Sequence, residues 1–157
     1  FTEEIEAGLH DGSIDIAVHS AKDLSSEMHD DLDLIAFTER EAVNDVIVST
    51  NPQLNINSNI RIGTSATRRV AFIKHFYPQA QAVSIRGNLQ TRFNKLQAGE
   101  YDALVLAYAG VHRMGYDQFI IEKIETSYFV PAVGQGCIAV QCHKKLAMDK
   151  KKVVQDW

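Results

Sequence analysis

The sequence lacks the features that mark several classes of protein. No apolar run approaches the roughly 18 residues that a membrane-spanning helix needs, so we expect a soluble protein with no membrane partner. The only cysteines, Cys137 and Cys142, lie five residues apart in one predicted strand, where they point to opposite faces and could not easily pair. There is no signal-peptide pattern, and this cysteine usage favours the reducing cytoplasm.

Familiar cofactor and metal motifs are also missing. Gly63 is not followed by Gly-Lys at the spacing of a Walker-type phosphate loop, and no dinucleotide-binding fingerprint is present. The histidines are scattered without metal-ligand spacing, so we predict solvated or capped side chains and no metal site. These residues are His10, His19, His29, His75, His112 and His143.

The feature that stands out is a basic stretch without acids. Residues 61–92 hold five of the seven arginines and no Asp or Glu, although the chain carries 20 acidic residues and a net charge of -4. Surface arginines of an acidic protein would usually have carboxylates nearby. This stretch therefore predicts an anion-binding site.

The basic stretch contains two copies of one pattern: a short apolar run, a glycine with small or polar neighbours, then a helical pattern with arginine near its start. The unpaired N–H groups and the dipole at a helix N-terminus favour anions. Arginine adds a planar fork that matches a carboxylate. The first copy contains Gly63, Arg68 and Arg69, and the second contains Arg86, Gly87 and Arg92. Two such turns suggest a ligand with several negative charges.

The element pattern predicts an α/β protein with parallel strand pairing, because strands and helices alternate through the middle of the chain. Expected helices cover 1–11, a segment after Arg68, another after Asn88, and 144–154. Expected strands are 14–18, 32–37, 45–49, 60–62, 82–85, 101–107 and 137–142, and residues 117–129 fit either a helix or two strands.

Two polar joints suggest an inserted lobe. They lie at 38–42 and 131–136, so we predict that 1–38 and 137–157 together form part of a first lobe and that 43–131 form a second lobe. Positions 1–41 hold twelve acids and two basic residues, in contrast to the basic middle of the chain. The chain begins at Phe1 without Met and both ends fall in helical patterns, so we expect a piece of a longer protein.

Five motifs in order along nearly the whole chain resemble the porphobilinogen deaminase family, also called hydroxymethylbilane synthases. The motifs are HSAKD (19–23), GTSATRR (63–69), RGNLQTR (86–92), LAYAGVHRMG (106–115) and PAVGQG (131–136). The resemblance implies a two-lobed fold of the type II periplasmic-binding-protein kind, with mixed sheets, helices on both faces, and hinges at the two joints. The family's N-terminal segment and its C-terminal domain with the cofactor cysteine have no counterpart in this sequence.

The resemblance also implies the chemistry. The family's reaction is a transferase step of tetrapyrrole (haem) biosynthesis in which four porphobilinogen molecules are joined head to tail into hydroxymethylbilane, with loss of ammonia. The chain grows on a dipyrromethane cofactor held covalently by a cysteine, which would lie outside this sequence. Each porphobilinogen carries an acetate and a propionate, which suits an arginine-rich cleft. A full-length monomer without nucleic-acid partners is expected, and this piece is expected to be inactive alone.

Site residues follow from the matching motifs. The resemblance implies cofactor binding by Ser20, Thr64, Ser65, Arg68, Arg69 and Gln135. It implies substrate or cofactor binding by Arg86, Gly87, Asn88, Arg92 and Arg113. It implies catalysis by Asp23 with Lys22. Two positions depart from the family pattern: Ala66 stands where a serine is usual, and Ser25 where a proline is usual.

Asp23 is the predicted catalytic group. Loss of ammonia from porphobilinogen leaves a cation, which a nearby carboxylate would stabilise while it orients the pyrrole N–H groups. The same carboxylate could pass a proton to the departing amine. For an arbitrary Lys-Asp pair, a helix cap or a surface ion pair would be the preferred interpretation.

Two other functions remain open from the residues alone. One is a binding module of the same fold class that closes on a small carboxylated or phosphorylated ligand. The other is nucleic-acid binding through the basic stretch, which the net charge of -4 and the lack of interleaved exposed aromatic residues disfavour.

Overall fold

The computed structural model describes residues 2–156, without the side chain of Thr2. The chain divides into two compact units, Phe1–Glu41 with Ala132–Trp157 and Ala42–Pro131. The divisions fall at the two polar joints, and the function of these joints as hinges stays a prediction. Among the described helices, none has both the length and the apolar character needed to cross a bilayer.

The first unit is built on a three-stranded antiparallel sheet with strand order β1-β8-β2. Leu9 of the first helix, Ala17 of β1 and Leu32 of β2 form its small buried core. The elements of this unit are α1 (Thr2–Asp11), β1 (Ile16–Ser20), a 3₁₀ helix (Ala21–Asp23), β2 (Leu32–Phe37), β8 (Ile138–His143) and α5 (Met148–Gln155).

The second unit is built on a five-stranded mixed sheet with strand order β5-β4-β6-β3-β7. β4 pairs in parallel with β5 and β6, which confirms the predicted parallel pairing, whereas β3 is antiparallel to both of its neighbours. The elements are β3 (Asp45–Val48), β4 (Arg61–Gly63), α2 (Thr67–Phe76), β5 (Gln81–Val83), α3 (Leu89–Gln97), β6 (Ala103–Ala107), α4 (Tyr108–Arg113), a 3₁₀ helix (Asp117–Phe119) and β7 (Ile120–Lys123).

Helices cover both faces of the second sheet, as the resemblance implied. Alternate residues of a strand point to opposite faces. Ile47 of β3 packs with Phe72 of α2 in one cluster, while the neighbouring Val46 packs with Phe93 of α3 in the other. β3 is buried along its whole length, as expected for a central strand with both faces covered.

Several predicted element boundaries were wrong. In the second unit the strand predicted at 82–85 is Gln81–Val83, and two further examples lie in the first unit. The strand predicted at 14–18 lies at Ile16–Ser20, because the Ile14 N–H bonds to the Gly8 carbonyl in the turn after α1. This strand is only partly buried, since Val18 is 62% exposed. The final helix begins at Met148 rather than 144, because residues 144–147 form a turn after β8.

The ambiguous segment 117–129 contains one strand. Pairing with β3 makes Ile120–Lys123 strand β7, and Ile124 and Phe129 then return to the core. The short apolar run fits a helix equally well by its periodicity, so only the neighbouring strand decides its conformation.

Candidate functional site

The first arginine-bearing turn joins β4 to α2 and is held close to the sheet. A Cβ on Gly63 would lie 2.6 Å from Leu104 and 2.9 Å from Tyr101, so only glycine lets the backbone approach. Thr64 is buried, its N–H donates to the Val83 carbonyl at 2.9 Å, and its hydroxyl accepts from the Ala66 N–H at 3.3 Å. The hydroxyl of Thr64 is therefore used inside the turn.

Ser65 connects this turn to the second one, which follows β5. Its hydroxyl accepts from the Ile85 N–H at 3.0 Å and donates to the Ile85 carbonyl at 2.5 Å. It also lies 3.1 Å from the hydroxyl of Ser84. Because β4 and β5 are parallel neighbours, both turns leave the same edge of the sheet. The structure thus brings together the two patterns that the sequence shows as separate.

Arg68 and Arg69, at the start of α2, share one buried carboxylate. Oδ1 of Asp45 accepts from Nε and Nη2 of Arg69 at 3.1 and 2.7 Å, and Oδ2 accepts from Nη1 of Arg68 at 2.5 Å. The Asp45 side chain is completely buried, while 7% of the Arg69 side chain and 28% of the Arg68 side chain are exposed. Burial lowers the pKa of the Arg69 guanidinium, and the charge of Asp45 counters that effect.

The two arginines differ in their remaining contacts. Nη1 of Arg69 donates to the carbonyl of Val105 at 3.2 Å, so this guanidinium is bound to the sheet beneath it. Arg68 donates to the carbonyl of Val130 at 3.0 Å, and its guanidinium carbon lies 4.4 Å from the centre of the Phe129 ring. Arg69 is thus an internal group, and Arg68 lies nearer the surface.

Asp45 is the residue of this site that the sequence analysis missed. The basic stretch has no acid within it, but in the fold Arg68 and Arg69 share a carboxylate that comes from outside it. Asp45 is distant in sequence and lies at the start of β3, a strand of the same sheet. An Asp opening an apolar run was the available signal, because such a residue must be paired if the strand is central.

The second turn is stabilised at the N-terminus of α3, the helix that follows it. The Asn88 side chain accepts from the N–H and the hydroxyl of Thr91 at 2.8 and 2.9 Å, which caps α3. Gly87 has φ 113°, and its carbonyl accepts from Nε of Arg92 at 2.8 Å. Arg86 is exposed, as is Arg113 at the end of α4.

The predicted residues of the first unit also cluster. Ser20 ends β1, and Lys22 and Asp23 lie in the 3₁₀ helix that follows. The loop before β8 packs against this segment, because a Cβ on Gly134 would lie 2.9 Å from the Ala21 backbone. Gln135 in that loop is buried, and Asp23 is exposed.

Histidines that are far apart in sequence meet in the first unit. One ligand atom from each of His10, His29 and Asp31 lies within 4.8 Å of the other two. The prediction of no metal site rested only on the spacing of the histidines along the chain.

A model of one protein family matches most of this chain. It is described as porphobilinogen deaminase, dipyromethane cofactor binding domain, and it matches residues 1–151. A porphobilinogen deaminase of Cytophaga hutchinsonii is 52% identical over 157 residues, which cover 99% of this chain and 50% of that protein. One of Desulfosudis oleivorans is 51% identical, with 99% of this chain and 51% of that protein covered. The chain thus spans about half the length of these curated relatives.

Solved structures share the fold at low sequence identity. The periplasmic VFT2 domain of Bordetella pertussis BvgS superposes with a TM-score of 0.53 at 18% identity, covering 98% of this chain and 65% of that one. A TRAP periplasmic solute-binding protein of Desulfovibrio salexigens, solved with orotic acid, gives a TM-score of 0.54 at 12% identity, covering 98% and 60%. These similarities confirm the predicted periplasmic-binding-protein fold.

Proposed function

Because this chain belongs to the porphobilinogen deaminase family, we propose that it contributes the cofactor-binding part of a hydroxymethylbilane synthase. This membership confirms the resemblance carried by the five motifs. The proposed enzyme is a transferase of tetrapyrrole biosynthesis that joins four porphobilinogen molecules and releases ammonia. Its cofactor would be dipyrromethane, the group in the description of the matching family domain.

The observation that carries this proposal is the hydroxyl of Ser65, which ties the two arginine-bearing turns together at one edge of the sheet. A dipyrromethane has several carboxylate side chains, so it needs cationic groups at several nearby points. A guanidinium binds a carboxylate through two parallel hydrogen bonds. Turns that are joined at one edge can present such groups to a single ligand, which makes the donor set fit this cofactor.

We assign the residues of the two turns different tasks. Arg68 would bind a cofactor carboxylate with the exposed part of its guanidinium, and Arg86, Arg92 and Arg113 would bind cofactor or substrate carboxylates. The backbone N–H groups of Gly87 and Asn88 would donate hydrogen bonds to the ligand bound at the second turn.

Arg69 and Thr64 would act mainly by positioning. The guanidinium of Arg69 is held by Asp45 and by the Val105 carbonyl, and the Thr64 hydroxyl bonds within its own turn. A buried carboxylate shared between Arg68 and Arg69 fixes the direction of the Arg68 side chain before any ligand arrives. Such preorganisation reduces the cost of ordering side chains on binding.

Asp23 is the proposed catalytic residue of the first unit. An exposed carboxylate at the end of a 3₁₀ turn can contact pyrrole N–H groups and stabilise the cation that porphobilinogen forms on losing ammonia. Ser20, Lys22 and Gln135 would bind cofactor or substrate carboxylates or hold this segment in place.

The test uses the full-length protein with two readouts, the intact mass for bound cofactor and the rate of porphobilinogen consumption. Asp23→Asn should keep the cofactor mass and lose nearly all turnover. Arg68→Leu should reduce the fraction of protein that carries the cofactor. Near-normal turnover in the first variant would remove Asp23 from the mechanism, and complete cofactor loading in the second would remove Arg68 from the cofactor site.

Arg61→Leu is the matched control for the Arg68 variant. Arg61 belongs to the same basic stretch, but it is exposed and bonds to the Gly99 carbonyl at 2.8 Å and to Asp102. The control should keep both cofactor and turnover, so that a general loss of positive charge is distinguished from the loss of a specific ligand.

The second candidate is a module that binds a small carboxylated or phosphorylated ligand without chemistry. The solute-binding fold favours it, because proteins of this fold include one solved with orotic acid. In the family the cofactor cysteine lies in a Gly-Gly-Cys motif of the C-terminal domain. A parent gene that encodes this motif downstream would support the enzyme, and one without it would support the module. For the enzyme we also propose a cytoplasmic location and a monomeric state. The cytoplasmic location agrees with the two cysteines, which form no disulfide in the described structure.

A further inference from the structure

We propose that His10, His29 and Asp31 form a binding site for a divalent transition metal of the Zn²⁺ class, separate from the arginine-bearing turns. Two imidazoles and a carboxylate are ligands that Zn²⁺ binds well. The site would tie the end of α1 to the turn before β2. It concerns the first unit only and does not depend on the proposed function.

The distances fit one small cation. Nδ1 of His10 lies 3.0 Å from Oδ2 of Asp31, and Nδ1 of His29 lies 3.5 Å from Oδ1. Zinc bonds of about 2.0–2.1 Å in a tetrahedral site separate neighbouring ligand atoms by roughly 3.3 Å. The two distances run to different oxygens of Asp31, and one ligand atom from each of the three residues lies within 4.8 Å of the other two. The side chains would move closer together to bind one ion, which would leave a fourth position for water.

The backbone holds each ligand near the others. His10 follows the buried Leu9 in α1, and Asp31 precedes the buried Leu32 of β2. The Leu32 N–H donates to the His29 carbonyl at 3.0 Å, and the Asp31 carbonyl accepts from Lys144 at 2.8 Å. The two histidines are exposed and Asp31 is half-buried, but the chain that carries them is anchored in the core.

His143 acts as an outer partner rather than a ligand. Its Nδ1 accepts from the Lys145 N–H at 3.0 Å, so the proton of the neutral ring lies on Nε2. That Nε2 lies 3.7 Å from Oδ2 of Asp31, so the ring would have to move closer to donate a hydrogen bond to this carboxylate. A group of this kind orients a metal-binding carboxylate.

The local charge favours a cation. His10 lies in the last turn of α1, where the helix dipole is negative. The imidazoles of His10 and His29 and the carboxylate of Asp31 would supply three ligand atoms to one ion.

The test is a Zn²⁺ titration of the untagged chain, first stripped with a chelator, against a coloured competitor dye. The chain should bind one equivalent. His29→Gln and Asp31→Asn should each weaken binding by roughly 100-fold or more, and His143→Gln by roughly tenfold, as expected for an outer partner. His29 is 67% exposed, so its replacement should leave the fold intact, which circular dichroism checks.

His112→Gln is the matched control. His112 forms another exposed His–Asp pair, with Nδ1 2.9 Å from Asp117. Among the described residues, this pair has no third metal-ligating side chain beside it. This variant should bind Zn²⁺ like the unchanged chain. Co²⁺ bound to the chain should show the strong visible absorption of a tetrahedral site, and the His29 variant should lose it.

Two results would overturn the proposal. One is the absence of stoichiometric Zn²⁺ binding by the unchanged chain. The other is binding that stays equally tight in His29→Gln and in Asp31→Asn, because the ion would then be held elsewhere.

Discussion

The two arginine-bearing turns of the second unit look alike in sequence but are stabilised in different ways. The turn after β4 bonds its arginines to the buried Asp45, and Ala66 at the start of α2 makes no side-chain cap. The turn after β5 has an Asn88 cap, and its Arg92 bonds to the local Gly87 carbonyl. The arginines of the first turn are held by a long-range contact, and the helix start of the second turn is held by local ones, so substitutions of these groups should have different effects.

The largest effect is expected for Asp45→Asn, which breaks the long-range contact of the first turn. It leaves two guanidinium groups, one of them buried, without their carboxylate, and breaking a buried pair costs about 3–5 kcal/mol of unfolding free energy. Urea unfolding measures the loss. Arg61→Gln is the control, because it removes an exposed ion pair with Asp102 and should cost less than about 1 kcal/mol. Equal losses in the two variants would contradict the assigned difference.

A smaller effect is expected for Gly87→Ala in the second turn. The φ of 113° is unfavourable for alanine, and the new Cβ would lie 2.7 Å from the Thr91 side chain. Such strain costs on the order of 1–3 kcal/mol. Gly99→Ala is the matched control, because Gly99 also has positive φ, at 74°, but space for a Cβ. If Gly99→Ala lowered the melting temperature more than Gly87→Ala does, contact with Thr91 would not be the cause of the destabilisation.

The capping of the second turn gives a third prediction. Asn88→Ala removes the acceptor of the Thr91 N–H, and the loss of an N-cap typically costs about 1 kcal/mol. Hydrogen exchange should show faster opening of the first turn of α3, with α2 unchanged. Faster exchange in both helices would contradict the assignment of the Asn88 cap to α3 alone.

The smallest effect should come from adding a cap to the first turn. Ala66 has the extended backbone of an N-cap, with φ -80° and ψ 121°. A serine, the residue usual in the family at this place, should stabilise α2 by about 0.5–1 kcal/mol through a bond to a helix N–H. A lower melting temperature in Ala66→Ser would show that the hydroxyl does not reach that donor.

Much of the site could be predicted from sequence because its signals are local. The glycine between an apolar run and an arginine-bearing helix identified both turns, and the order of motifs identified the family and fold. Asp45 could not be assigned, because its partners lie more than twenty residues away and depend on the order of strands in the sheet. His10 and Asp31 were missed for the same reason.

The sequence alone determined the alternation of strands and helices, the acid-free basic stretch and the family, since each follows from short-range periodicity or composition. The tertiary structure alone decided which charges meet. It brought β3 beneath α2, so that Asp45 holds Arg68 and Arg69. It also brought α1 beside the start of β2, so that His10 meets Asp31. Pairings of this kind depend on the order of elements in a folded sheet, which spacing along the chain does not contain.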